Sequence, residues 1–274
     1  MPEGDTLFRT AQTLDKALGG RTVTYFETAL AQLANVDRGD PIAGRTVTGC
    51  ESVGKHLLLH FSGDLTLRTH LRMNGAWHIY RPGERWFRPR AHMRVVIATE
   101  AYVAVGFEIP VAEFLTAAQL ARHPELTRLG PDLLGPAVDL TEVVRRARDR
   151  PHLTVAELLL NQRVAAGIGN VYKCEVLFQV GLHPTLKVAA VSDEALREAF
   201  TIAQRFLHAN VQGPGPGMTT YTGHRKTTRR GERLWVYARA GQPCRRCGTP
   251  IAYAQVGEDP RGTYFCPTCQ PPVV

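Results

Sequence analysis

The sequence predicts a multi-domain α+β chain. A β-rich first domain led by one helix is followed by a helical second domain and a zinc-bound hairpin near the C-terminal end. Three observations predict it. Residues 21–108 break into short apolar runs separated by Gly, Pro and Asp turns, the spacing of an all-β sandwich or barrel. Beyond residue 113 the apolar period lengthens to that of helices. Cys244-x-x-Cys247 and Cys266-x-x-Cys269 stand 18 residues apart, within the range of a four-cysteine zinc site. The 274 residues leave room for two or three domains at about 100–200 residues each. The shifts in pattern set expected boundaries at 1–112, 113–223 and 224–274.

The leading helix is read from Leu7, Ala11, Leu14 and Leu18, which recur on one face. Asp5 or Thr6 is its expected cap and Gly19-Gly20 its stop. Ahead of it stand Met1-Pro2-Glu3-Gly4. With Met1 removed, Pro2 offers a free secondary amine, a nucleophile able to form an iminium adduct with a sugar aldehyde. The Glu3 carboxyl can give or take a proton beside it. The positive end of the helix dipole disfavours protonation of the amine and favours its reactive form. A proline and a capping residue are also ordinary at a chain start, so these residues alone do not decide between chemistry and structure.

Strands are expected at residues 23–27, 44–53, 56–61, 65–70, 93–98 and 102–107, with turns such as Ser62-Gly63-Asp64 and Arg81-Pro82-Gly83 between them. A basic loop carries Arg81, Arg85, Arg88, Arg90 and Arg94 against Glu84 alone. It suits phosphate contacts or plain solvation. Thr154 and Glu157 form a capping box ahead of Val155, Leu158 and Leu159. A second helix runs from Asn170 with Val171, Cys174, Leu177 and Phe178 inward, and a third from Ser192 with Leu196, Phe200, Ala203 and Leu207. Between the first two lies Gln162 to Asn170, whose Gly167-Ile168-Gly169 is either an ordinary turn or an anion site at a helix start. It lacks the Gly-Lys-Ser/Thr ending of a nucleotide-binding loop. Residues 211–223 read as a mobile loop, and the window 224–246 holds seven arginines and Lys226 against Glu232.

Charge and cysteine usage narrow the function classes. The excess of 33 Lys+Arg over 25 Asp+Glu gives a net charge of +8, which suits a polyanionic partner. No stretch approaches the ~18 apolar residues of a membrane span, and the start lacks a basic-then-apolar leader. Four of the six cysteines are grouped as ligands and not spread as a disulfide framework, which points to a reducing cytosol. Cys50 and Cys174 read as small buried hydrophobes. Four thiolates close a coordination shell, so one structural Zn2+ at Cys244, Cys247, Cys266 and Cys269 is expected, with a redox dithiol as the competing reading.

In this order and spacing, the Pro-Glu-Gly start, the β-rich domain, the Gly-Ile-Gly-Asn turn and the cysteine hairpin resemble the formamidopyrimidine-DNA glycosylase/endonuclease VIII family of DNA repair enzymes. The resemblance covers nearly the whole chain. It implies an N-terminal β-sandwich, a helix–two-turns–helix module over residues 154–180, and a bifunctional DNA glycosylase/AP lyase of base excision repair. It makes Pro2 the nucleophile at deoxyribose C1′ and Glu3 the general acid. Lys55 is similar to a phosphate-contacting lysine of the reaction centre. Asn170 and Arg261 are similar to residues that grip phosphates beside the lesion, and Met73 to the side chain that fills the space of the flipped nucleotide. The implied partner is damaged double-stranded DNA, with single strands left open, bound by a monomer in the cytoplasm at the nucleoid. Two departures stand out. Thr6 occupies a position where many members carry glutamate, which bears on δ-elimination. Residues 100–112 hold no Arg-x-Phe wedge, which points to the endonuclease VIII side, with oxidised pyrimidines favoured. The reading from another class is a non-catalytic binder of damaged or abasic DNA.

Overall fold

A computed structural model describes residues 2–212 and 234–272. Most of the loop expected at 211–223, and the part of the basic window before residue 234, lie outside the described residues. The chain forms two compact units that divide after Arg128. Among the described residues no helix is long and apolar enough to cross a membrane.

The first unit opens with α1 (Gly4–Leu18), followed by β1 (Tyr25–Thr28), α2 (Ala31–Gly39), β2 (Val47–Val53), β3 (His56–Phe61), β4 (Leu65–His70), β5 (Ala76–Tyr80), β6 (Met93–Ala98), β7 (Val103–Phe107) and β8 (Val111–Leu115). Two short helices, α3 (Ala117–Ala121) and α4 (Pro124–Thr127), close it. The strands make two four-stranded antiparallel sheets, ordered β1-β6-β7-β5 and β2-β3-β4-β8. Alternate residues of each, such as Leu57, Leu59 and Leu67 from one and Val95, Ile97 and Ala104 from the other, meet in one core. The face of α1 bearing Leu7, Ala11, Leu14 and Leu18 is buried in that same core. Burial of this kind stabilises by roughly 1.5–3 kcal/mol per large side chain, so the start of the chain is anchored.

Several elements differ from expectation. Helix α1 begins at Gly4, with Glu3 as its N-cap residue, and so takes Asp5 and Thr6 into its first turn. Its end is as expected, with Gly19 following and Gly20 at φ 72. Strands β5 and β8 and helix α2 carry no clear sequence signal. The boundary expected at 112 falls inside β8, whose pairing of Ala112 with Thr69 and Glu113 with Arg68 makes it an edge strand of the first unit.

The outward face of β3, β4 and β8 carries an unusual set of polar groups. Arg68, 2% exposed, pairs with Glu113 and Glu125, and His123 Nε2 lies 3.0 Å from Glu113. His56 and His70 sit opposite each other in register, with ring centroids 5.0 Å apart. Burial, with the nearby Arg68 charge, lowers the His56 pKa to about 3. Burial and the Arg72 charge lower His70 to about 4. Both rings are therefore neutral in the fold, whereas an unfolded histidine takes a proton near pH 6.5. Stability tied to them is present above that pH and is lost as pH falls toward 3–4. Between pH 7 and 5, His56 alone should remove on the order of 2 kcal/mol from the first unit. Urea unfolding of wild type and His56→Leu at both pH values checks this. A loss of the same size in the variant would assign the acid sensitivity elsewhere.

The second unit contains α5 (Leu140–Arg148), α6 (Val155–Leu160), α7 (Asn170–Val180) and α8 (Asp193–Gln212), then the hairpin β9 (Ala252–Val256) and β10 (Arg261–Phe265). The Thr154–Glu157 capping box starts α6 as expected. Leu196, Phe200, Ala203 and Leu207 of α8 are buried against α6 and α7 in one helical core. Helix α7 is buried almost all round. Tyr172, Val176 and Leu177 enter the helical core, whereas Cys174 and Phe178 join Val236, Ile251 and Cys266 under the hairpin.

Candidate reaction centre and nucleic-acid interface

In the first unit, Pro2 and Glu3 immediately precede the first helical residue, and Glu3 is only 3% exposed. The Leu7 N–H donates to the Glu3 carbonyl at 3.1 Å, which fixes the backbone of Glu3 to the helix. At the other end of α1, Asp15 accepts from the Cys50 N–H of β2 at 2.9 Å. Burial pushes the Cys50 thiol up to about 12, so it is unreactive at neutral pH. The helix is thus held at both ends, and the residues before it inherit that rigidity.

Lys55 occupies the two-residue turn between β2 and β3, where Val53 pairs with His56 and Gly54 takes φ 59. That conformation suits glycine and leaves Lys55 partly exposed at the hairpin tip. Its charge is felt at His70 at the far end of β4. Met73, 60% exposed, stands on the tight β4–β5 turn. A Cβ on Gly75 would come within 2.5 Å of the Leu71 carbonyl, so that turn admits only glycine there. Met73, Asn74 and Gly75 form one side of an open cleft of about 430 Å³ whose other side is Arg88, Pro89, His92 and Glu108.

In the second unit the structure brings Asn170 and Arg261 together. Asn170 is the first residue of α7, after Gly169 as N-cap, and its Nδ2 donates to the Gly262 carbonyl at 2.8 Å. Its buried Oδ1 has no partner. The other Nδ2 hydrogen and the helix dipole both favour an anion at this end of α7. Arg261 is 53% exposed and its Nη2 donates to Asp259 at 2.6 Å, a surface pair that another anion can displace at little cost. The turn before α7 is closed by one side chain. Gln162 Nε2 donates to the Leu160 and Ile168 carbonyls, and its Oε1 accepts from the Gly167 N–H.

Sequence reasoning missed two residues on α7. Lys173, fully buried, donates to Thr263 Oγ1 at 2.7 Å and to the Gly262 carbonyl at 3.3 Å. Glu175, also buried, accepts from the backbone N–H groups of Trp235, Val236 and Tyr237 at 2.8–2.9 Å. Together they dock the segment before the hairpin, and the hairpin itself, onto α7. The available signal was two charges inside an otherwise apolar helix.

The four cysteine sulfurs lie within 4.8 Å of one another. Cys244 and Cys269 are 3.9 Å apart, and Cys247 and Cys266 3.5 Å. A tetrahedral zinc with bonds of about 2.3 Å requires sulfurs roughly 3.8 Å apart, so the set fits the metal. All four ligands come from the protein, so this is a structural zinc site whose metal clamps the base of the hairpin.

Comparison with known proteins agrees with this geometry. Residues 1–109 match the formamidopyrimidine-DNA glycosylase N-terminal domain, residues 129–222 the formamidopyrimidine-DNA glycosylase H2TH domain, and residues 241–272 a zinc finger found in FPG and IleRS. The chain is 41% identical to a probable endonuclease 8 of Streptomyces coelicolor, over 98% of this chain and 94% of that one. It is 38% identical to a DNA-(apurinic or apyrimidinic site) lyase of Mycolicibacterium smegmatis, over 98% and 99%. Endonuclease 8 of Escherichia coli is 35% identical over 98% and 100%. The fold matches that of Lactococcus lactis Fpg in a complex with abasic-site DNA, with a TM-score of 0.83 and 22% identity over 99% of this chain and 100% of that one. By sequence over its full length, the chain belongs to the formamidopyrimidine-DNA glycosylase/endonuclease 8 family.

Proposed function

We propose that this protein is a bifunctional DNA glycosylase/AP lyase of base excision repair, working on damaged duplex DNA through the Pro2 amine. The observation that carries the reading is the pairing of Pro2 with a buried Glu3 at the start of a helix seated in the sandwich core. A binding protein needs neither the amine nor the acid there, whereas a nucleophile needs both on a rigid support. Relatives named endonuclease 8 and AP lyase support the same assignment.

In this reading Pro2 nitrogen attacks C1′ of the deoxyribose and the bond to the damaged base breaks. Glu3 supplies the proton that the opening sugar requires, leaving an iminium between Pro2 and C1′. The iminium acidifies the C2′–H. Loss of that proton forms the C2′–C3′ double bond and expels the 3′-phosphate, which is β-elimination. Extrusion of a base costs a few kcal/mol of unstacking. Lys55, Asn170 and Arg261 offset it by holding phosphates, and Met73 fills the vacated space. The Arg-x-Phe wedge missing from residues 100–112 favours oxidised pyrimidines, and Thr6 makes δ-elimination the weaker step.

Borohydride trapping tests the reading directly. Mature protein, with an intact mass one methionine below the full chain, should form a covalent adduct with an abasic-site oligonucleotide after reduction. Protein that binds the same oligonucleotide yet gives no adduct would be a non-catalytic binder. Full activity with Met1 retained would exclude the Pro2 amine.

A further inference from the structure

Phe87 is the most exposed large hydrophobic side chain among the described residues, at 84%. It belongs to the β5–β6 connection, and that loop is tied down on both sides of it. Trp86 is turned inward, edge-on to Phe107, with ring centroids 5.8 Å apart. The Phe87 N–H donates to Tyr80 Oη at 3.0 Å. Arg88 Nη1 donates to Glu108 at 2.6 Å and to the Asn74 carbonyl at 3.2 Å. Arg90 holds Glu27 and lies 5.4 Å over the Trp86 ring. One side of the Phe87 ring runs nearly parallel to the His78 imidazole, 6.2 Å away at 16°. A well-held loop therefore presents an aromatic ring to solvent.

The chemistry around the ring specifies its occupant. Arg85 and Arg90 are exposed on either side of it in the chain, and Arg88 is partly exposed. A flat apolar surface among guanidinium groups fits a partner that is itself flat, apolar and attached to phosphates, which is a nucleobase within a strand. The Arg88 bond to Asn74 ties this loop to the turn carrying Met73. Extruding one nucleotide opens a gap and also strips its partner base of a pairing edge and a stacking neighbour. Met73 can occupy only the gap. Glu108, on the β7–β8 loop, is engaged as the acceptor for Arg88 and His92, so it offers no ring.

We propose that Phe87 is the stacking platform for the unpaired base opposite the lesion, with Arg88 as the residue that positions it beside Met73. This rests on the DNA-binding reading above. The probe is a duplex containing a tetrahydrofuran abasic analogue, with 2-aminopurine either opposite it or in the lesion strand. Wild type should bind and alter the fluorescence of the opposite 2-aminopurine. Phe87→Ala should weaken binding roughly tenfold, the cost of one lost stacking contact, and abolish that fluorescence change, while Phe87→Trp restores both. Arg88→Ala should reduce the fluorescence change with Phe87 intact. Unchanged binding and fluorescence in Phe87→Ala would overturn the assignment. So would a loss confined to 2-aminopurine in the lesion strand. Wild type that neither binds this duplex nor traps on abasic DNA would remove the DNA reading itself, a failure distinct from the other two.

Discussion

Glu3→Gln is expected to lower turnover on a duplex carrying a damaged base by about 10²–10⁴, the usual contribution of a positioned acid or base. Affinity for an abasic-site duplex should stay within a few-fold of wild type. The carboxamide keeps the size of the side chain, and Glu3 is 3% exposed, so the packing around it is preserved. What it loses is the transferable proton. An interaction made only in the transition state changes kcat without changing ground-state binding. Single-turnover kinetics alongside binding titrations separate the two quantities. Turnover near wild type would mean another group supplies the proton, and Asp5, buried in the first turn of α1, would be the next to replace.

The sequence carried this site unevenly, for identifiable reasons. The Thr154–Glu157 box and the cysteine pairs are local signals, complete within a few residues, and both stand in the structure where their spacing put them. Strands β3, β4 and β6 were legible because each has an inward row facing a single core. Strand β5 was not, because Trp77, His78 and Ile79 are half-buried on both faces and show no alternation. Helix α2 buries only Leu33, which leaves no periodic face to read. Helix α7 hides its period in the opposite way, by burying nearly every residue between the helical core and the hairpin. That double burial is what makes Lys173 and Glu175 structural, and it is a tertiary fact with no local signature. The candidate site residues were legible only through the order of several weak motifs along the chain. The meeting of Asn170 with Gly262, 92 residues away, had to await the fold.

That meeting makes the zinc hairpin the second place where one substitution should have a large effect. Cys266→Ser should lose the metal and unfold the hairpin, because two strands of five residues are marginal alone. Structural zinc contributes on the order of 10 kcal/mol or more in small zinc modules. Unfolding would remove the acceptors of Asn170 and Lys173 at Gly262 and Thr263, leaving the Lys173 ammonium buried without them. DNA affinity should therefore fall by far more than one contact is worth. Arg261→Ala is the control. It should keep zinc and fold, give up a pair with Asp259 worth at most ~1 kcal/mol, and weaken binding roughly tenfold. If Arg261 meets a phosphate, the log–log salt dependence of binding should become shallower by about 1. Zinc content and affinity at several salt concentrations measure both halves. Equal zinc loss in the two variants would make Arg261 a fold residue. Weaker binding with an unchanged salt slope would mean that Arg261 acts on DNA without contacting a phosphate.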